Sequence, residues 1–378
     1  MMNSKLKVAI ISGGMIANAA HIPAYHNMEE YVDIVAVCDI YEPSAQATAQ
    51  RWNIPSYYTD AAEMLEKEKP DLVSVCTSNA AHKSMSLLAL EHGANVLCEK
   101  PLALTWRDAK ELYDAAERAG RKLVACQSAR FTPEHLDAHE LAQKGFLGDV
   151  YFSEISRVRR RGVPTWGNFH RKDINGGGAF CDIGIHLLDA VVWIMGNPKM
   201  ASVSGAMSSV LTRKGENLVT SLAEAGAPLG RFGKACSYKP EEFENEEFAA
   251  GTIRFENDAI LNFKVAWAAN LPNSSSISLV GDRAGLLLPE FKLLSTMDKY
   301  QVDIDPRRFN AERKYADKTF NGHWQLVENY VNALLGREEL IIKPEETLNV
   351  SAIVDAFYRS AQLHREVRFD ELTAEPRA

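Results

Sequence analysis

Between Leu6 and Ala125 the chain passes repeatedly from a short, unbroken apolar run to an amphipathic stretch and back. Runs rich in Val, Ile and Leu fall at Lys7–Ile11, Ile34–Val37, Leu72–Val75, Asn95–Leu97 and Leu123–Ala125. A strand that is apolar at every position is buried on both faces, so strands of this kind alternating with helices predict a parallel sheet covered on each side. The right-handed crossover rule then gives a doubly wound α/β layout. Helix boundaries are legible within it. Asp60 with Glu63 and Thr105 with Asp108 predict helix starts, and Gly93 and Gly120 predict helix ends.

After about Arg130 the rhythm changes. One helix is expected around Glu134–Lys144, followed by longer strands at Val150–Arg159, Ala201–Leu211, Thr252–Phe255, Ile260–Trp267 and Ser276–Val280. Two later helices are expected, near His323–Leu335 and Glu345–His364, covering one sheet face and leaving the other free. Strands that no longer alternate with helices predict an α+β domain on a largely antiparallel, open-faced sheet. The 378 residues exceed what one core fills, since single cores stop growing at roughly 250–300 residues. Two domains are therefore expected, residues 1–128 and residues 129–378. Thr212–Glu247, with its acidic run at Glu241–Glu247, reads as a loop-rich, solvated insertion.

Composition excludes several function classes. A net charge of −8 and a pI near 5.8 give no electrostatic reason for a nucleic acid or an anionic membrane as partner. No apolar run approaches transmembrane length. The first strand begins by Leu6, which leaves no room for a signal peptide, so a cytoplasmic protein acting on a small molecule is expected. The cysteines Cys38, Cys76, Cys98, Cys126, Cys181 and Cys236 include no C-x-x-C pair. Reduced, packed thiols and no metal follow from that spacing.

Six segments carry chemistry. The first turn reads Ser12-Gly13-Gly14-Met15-Ile16-Ala17, a variant of the dinucleotide fingerprint with Ser12 in place of the first glycine. Gly14 admits a pyrophosphate to the backbone, Ala17 lets the helix pack closely, and the helix N-terminus faces the phosphates. The alternative is an ordinary glycine-rich strand-to-helix turn. Asp39 ends the second strand, where an acid accepts hydrogen bonds from an adenosine ribose and repels a 2′-phosphate, favouring NAD over NADP. Thr77 and Asn79, with His82 close behind, sit at the carboxyl end of the fourth strand, where they reach a cofactor's ribose or diphosphate or, for Asn79, cap a helix. Glu99-Lys100-Pro101 places a lysine at the next strand end, suited to stabilising charge on a reacting oxygen. Gln127 follows the sixth strand. Finally, Gly176-Gly177-Gly178 leads to Asp182, His186 and Asp189, which a helix aligns on one face. His186 can take a hydroxyl proton with a carboxylate to orient it, or the pair can be a capping Asp182 with a core histidine.

These elements, in this order, resemble the glucose-fructose oxidoreductase, inositol dehydrogenase and rhizopine catabolism family (Gfo/Idh/MocA), most sharply over Lys7–Gly196. The resemblance implies a Rossmann domain with NAD held by Ser12, Gly13, Gly14, Met15, Ile16, Asp39, Thr77, Asn79, His82, Glu99, Lys100 and Gln127. It implies a catalytic trio in which His186 is the base, Lys100 polarises the reacting oxygen and Asp182 positions the substrate hydroxyl. It also implies homodimers or homotetramers formed through the second domain's open sheet face. Arg130 and Trp166 are candidate substrate contacts, Trp beside polar groups being suited to a sugar or cyclitol. Arg157, Arg159 and Arg161 alternate along one strand and either grip a carboxylate or face solvent or another subunit. The expected activity is NAD-dependent oxidation of a secondary hydroxyl of a sugar, glycoside or polyol. The alternatives are an NAD-dependent glycosidase working by transient oxidation and elimination, and a non-catalytic regulator.

Overall fold

A computed structural model describes residues 5–219, 239–306 and 322–374. Two compact units form, one from Met1–Ser128 with Asn321–Leu348, the other from Ala129–Phe320 with Asn349–Ala378. Residues 129–378 do not all fall in one unit. Asn321–Leu348 returns to the first unit, where Tyr330 donates to the main-chain oxygens of Val96 and Lys122. No periodicity in a helix reports which sheet it will pack on.

The first unit holds a six-stranded sheet of β1 (Leu6–Ile11), β2 (Val32–Cys38), β3 (Ser56–Tyr58), β4 (Leu72–Val75), β5 (Asn95–Cys98) and β6 (Leu123–Ala125). Every pairing is parallel, in the order β3-β2-β1-β4-β5-β6. All four residues of β4 are buried, as are the last four of β1. This two-sided burial made the strands readable. β3, with half-buried and exposed positions in Ser-Tyr-Tyr, carries no apolar run and so gives no such signal. The predicted caps are present. Asp60 accepts from the amides of Ala62 and Glu63, Thr105 accepts from Asp108, and Gly93 and Gly120 adopt φ of +77° and +62°. The helix Trp106–Arg118 buries Ala109, Leu112 and Ala116 against the sheet, a stripe at helical spacing. Strand order reverses between β1 and β4, and open α/β sheets bind ligands at the carboxyl ends flanking such a point.

The second unit contains β7 (Val150–Val158), β8 (Met200–Ser208), β9 (Phe248–Phe255), β10 (Ile260–Ala266), β11 (Ser274–Gly281), β12 (Ala284–Leu288), β13 (Lys292–Met297), β14 (Tyr300–Ile304) and β15 (Val367–Arg368). They form one sheet in the order β14-β13-β12-β11-β7-β10-β9-β8-β15, antiparallel except where β7 meets β10. The helix Ile185–Ile194 packs on one face, over the buried Ser153 and Ile155 of β7, with the Ser153 hydroxyl 3.3 Å from the Met195 sulfur. Phe180 anchors this core, its ring 4.5 Å from that of Phe263 and 4.3 Å from that of Phe357. β12 to β14 extend the sheet with Leu294, Met297, Tyr300 and Ile304 exposed, so burial does not impose the clean alternation that marks a strand.

Three further expectations need correction. Leu211 does not continue β8; it lies in the short helix Val210–Lys214. The acidic run is not uniformly solvated, because Asn245, Glu246 and Glu247 are buried and hydrogen-bonded. The middle of that insertion, and Cys236, lie outside the described residues. Lastly, Lys172–Ile194 is apolar and long enough by composition to cross a membrane, a character explained by its burial inside the second unit. Cys38, Cys76, Cys98, Cys126 and Cys181 are buried free thiols.

Candidate active site

The turn after β1 is built around Ser12. Its φ of +80° lies in the left-handed region that favours glycine, so this chain places a serine where the backbone asks for the fingerprint's first glycine. The serine hydroxyl lies 3.3 Å from Asp39 Oδ2, and the same oxygen accepts the Gly13 amide at 2.9 Å. Asp39 Oδ1 accepts the amide of Tyr41 at 2.9 Å. The acid expected to meet a ribose therefore also fixes the turn. Behind it, Asn18, Ser44 and Thr48 all donate to the Gly13 carbonyl, at 2.8, 3.2 and 3.1 Å. A Cβ on Gly13 would stand 2.8 Å from Thr48 Oγ1, so this glycine serves the packing of the helix Glu42–Trp52. A Cβ on Gly14 would meet nothing nearer than Ser12 Oγ at 3.2 Å, which leaves the ligand side of the turn open. Met15 and Ile16, both half-buried, open the following helix, whose first amides lack intrahelical acceptors.

A dinucleotide fits this edge on three structural grounds: the open backbone at Gly14, the orphaned buried Gln127 Oε1, which has no partner among the described residues, and Ile40. Ile40, directly after Asp39, is 95% exposed and Tyr41 beside it 66%, an apolar surface next to that carboxylate. Sequence reasoning missed Ile40, Asn18, Ser44 and Thr48. An isoleucine at the end of a strand reads as core, and the three polar groups are brought to the turn only by the fold.

At the ends of β4 and β5 the expected residues take different roles. Thr77 and Asn79 are half-buried. Asn79 opens the short turn Asn79–Ala81, which leads into the helix His82–Glu91. His82 is corrected. Fully buried, it lies 2.7 Å from the Pro101 carbonyl through Nδ1 and 3.2 Å from the Thr77 carbonyl through Nε2, and burial pushes its pKa down. A neutral imidazole donates through one nitrogen only, so the shorter contact is the bond, and His82 braces the lysine turn from within. Glu99 is corrected too. Its buried Oε1 lies 2.9 Å from His21 Nε2 and 3.3 Å from His323 Nε2, and Oε2 accepts the Lys100 amide. Burial works to raise the Glu99 pKa, but the two histidines outweigh it and hold the carboxyl well below its usual range. Cys126 joins His21, Glu99 and His323 in a set whose donor atoms lie within 4.8 Å of one another, a convergence that sequence spacing does not show. Lys100 itself is half-buried, and its bond to Pro101 is cis.

In the second unit the glycine run is a close-packed hinge for the helix carrying Asp182 and His186. A Cβ on Gly177 would lie 2.1 Å from the Tyr358 hydroxyl, and one on Gly178 would lie 2.0 Å from the Glu246 carbonyl oxygen. The Glu246 carboxylate accepts the amides of Gly178 at 2.8 Å and Phe180 at 3.0 Å and the Tyr358 hydroxyl at 2.9 Å. Its charge also faces the positive end of the helix. Burial still prevails over these bonds and raises the Glu246 pKa. Glu246 is thus a positioning residue hidden within an acidic run, with no local signal to separate it from its solvated neighbours.

Phe180–Gly184 forms a wide turn of π type before the helix Ile185–Ile194. Gly184 lets it approach β10, since a Cβ there would stand 2.9 Å from Val265 Cγ2. Asp182 and His186 are half-buried, and the Trp267 indole donates to Asp182 Oδ2 at 3.0 Å. Asp189 departs from the expected common face. It is fully buried in a bidentate pair with Arg130, at 2.7 and 2.6 Å, and the guanidinium lies 5.4 Å from the centre of the Trp193 ring. Arg130 is accordingly corrected from substrate contact to core ion pair. Trp166 is buried against Phe169, and its indole N–H has no partner among the described residues.

Residues 6–126 match the family model described as an oxidoreductase family with an NAD-binding Rossmann fold, and residues 135–287 match the GFO/IDH/MocA C-terminal domain. The D-glucoside 3-dehydrogenase of Escherichia coli (strain K12) is 33% identical over 365 residues, 96% of this chain and 97% of that protein. The D-apiose dehydrogenase of Paraburkholderia graminis (strain ATCC 700544 / DSM 17151 / LMG 18924 / NCIMB 13744 / C4D1M) is 27% identical over 267 residues, 67% of this chain and 68% of that protein. The crystal structure of an oxidoreductase domain protein from Kribbella flavida has the same fold, with a TM-score of 0.80 at 21% identity over 97% of this chain and 99% of that one.

Proposed function

The chain belongs to the Gfo/Idh/MocA family of NAD-binding oxidoreductases, and from that premise we propose that it oxidises a secondary hydroxyl of a sugar, glycoside or polyol to a ketone, or runs the reverse. The observation that carries this reading is the similarity over 96% of the chain to a D-glucoside 3-dehydrogenase. NAD supplies the hydride acceptor. Gly14 and the amides after it hold the diphosphate, Asp39 the adenosine ribose, and Thr77, Asn79 and Gln127 the remaining polar groups.

His186 takes the substrate hydroxyl proton, the role of a general base. Lys100 donates to the reacting oxygen and stabilises its negative charge. Asp182, oriented by Trp267, accepts a hydrogen bond from the substrate hydroxyl. The Trp166 indole N–H, without a partner among the described residues, is suited to a second hydroxyl.

The reading includes a cytoplasmic location, a homodimer or homotetramer formed through the open sheet face, and no metal, nucleic acid or membrane partner. Five buried free thiols accord with a reducing compartment.

A screen of sugars, cyclitols and glycosides with NAD, followed by NADH absorbance, tests the activity. Stoichiometric NADH and ketone support a dehydrogenase. Free sugar released without net NADH would replace it with the glycosidase reading, since transient oxidation regenerates the cofactor.

A further inference from the structure

β7 runs through Arg157 and Val158 into Arg159-Arg160-Arg161, and the sheet register fixes where the first arginines lie. β7 and β10 are parallel with Arg157 opposite Val265 and Val158 opposite Ala266, and the Arg159 amide donates to the Ala266 carbonyl at 2.9 Å. Side chains opposite one another on paired strands project to the same face, and positions two apart share it. Val265 contacts the helix-bearing segment at Gly184, and Trp267, two residues on, bonds Asp182. Arg157 and Arg159 therefore share the sheet face that carries Asp182.

Both guanidiniums are half-buried. Arg159 reaches the Gly162 carbonyl at 3.4 Å, whereas Arg157 has no hydrogen-bond partner among the described residues. Arg161 is committed to Asn270 and to main-chain oxygens. Around them lies a cavity of about 700 Å³, lined by Arg157, Arg159, Arg160 and Arg161 with Asn273 and Ser275 and, among the described residues, by no carboxylate. Burial and the neighbouring guanidinium push the Arg157 pKa down, and Asp182 is the carboxylate that opposes this. Two half-buried cations facing one anion among the described residues leave a positive charge that burial makes unfavourable until an anion arrives.

We propose that this cavity is a substrate subsite for an oxyanion, a carboxylate or phosphate carried by the sugar or its aglycone, gripped by Arg157 and Arg159. The inference rests on the dehydrogenase reading and narrows its substrates to acidic glycosides.

The test compares NADH formation from methyl β-D-glucopyranoside, methyl β-D-glucopyranosiduronic acid and methyl β-D-glucopyranoside 6-phosphate, for the wild type and for Arg157→Gln and Arg157→Lys. The wild type is expected to favour one anionic substrate by about tenfold to a hundredfold in kcat/KM, the range of one or two charge-assisted hydrogen bonds. Which anion gains identifies the carboxylate or the phosphate. Arg157→Gln should reduce that preference at least tenfold, and Arg157→Lys should restore part of it. Equal kcat/KM for neutral and anionic glycosides in the wild type would overturn the proposal, as would parallel loss of both in Arg157→Gln with an altered oligomer size. If none of the three yields NADH, titration calorimetry with glucuronate and glucose 6-phosphate decides. Binding weakened tenfold by Arg157→Gln supports the subsite even though the dehydrogenase reading has failed, and absence of binding sinks it.

Discussion

Replacing Glu246 with alanine tests whether one buried carboxylate sets the helix that bears Asp182 and His186. Three donors lose their acceptor, the amides of Gly178 and Phe180 and the Tyr358 hydroxyl. Leaving a buried donor unsatisfied costs about 1–3 kcal/mol, and three of them sum to about 3–6 kcal/mol once partial relaxation and the relieved burial of the acid are allowed for. For a unit of this size that is a fall in melting temperature of about 6–20 °C. Glu246→Gln keeps one acceptor oxygen but turns an amide NH2 toward a donor, so a loss of about half as much is expected. Calorimetry reads the stability, and steady-state kinetics reads the site. kcat should drop while NAD affinity holds, because the proposed cofactor contacts belong to the first unit. The pH dependence gives a separate check. Burial raises the folded-state pKa of Glu246 above its unfolded value, so its contribution is fully present below the ordinary carboxylate range and is lost as pH rises through the raised value. Glu246→Gln should remove that slope. A cost under about 1 kcal/mol for Glu246→Ala, or an unchanged slope in Glu246→Gln, would refute the reasoning.

Lys100→Ala and His186→Ala should each lower turnover by at least about a hundredfold while NAD binding, followed by fluorescence titration, largely survives; near-normal turnover in either removes the assigned role. Ser12→Gly relieves a left-handed φ worth about 1–2 kcal/mol and gives up only a long hydroxyl contact, so it should stabilise the protein with NAD affinity equal or better, and destabilisation by calorimetry would contradict the strain argument. Asp39→Asn should narrow the preference for NAD over NADP in paired assays and also weaken NAD itself, since the carboxylate carries the Gly13 and Tyr41 amides; an unchanged ratio would show that Asp39 serves the turn alone.

Local pattern was sufficient for the doubly wound sheet because its strands are buried on both faces, so each left an apolar run, and because caps such as Asp60 and Thr105 act within one turn. The Gly-rich turn, the lysine before Pro101 and the helical spacing of Asp182 and His186 are likewise short-range, and they brought the family and the cofactor within reach of the sequence. What the tertiary structure decided involves partners distant in the chain. Arg130 and Asp189, 59 residues apart, meet as a core ion pair. Glu99 finds His21 across 78 residues. Glu246 reaches Gly178 across 68. A charged residue looks the same in sequence whether it faces solvent, a ligand or a buried counter-charge. Only burial, which fixes the energetic cost of leaving a charge unpaired, separates the three, and burial is a property of the assembled fold.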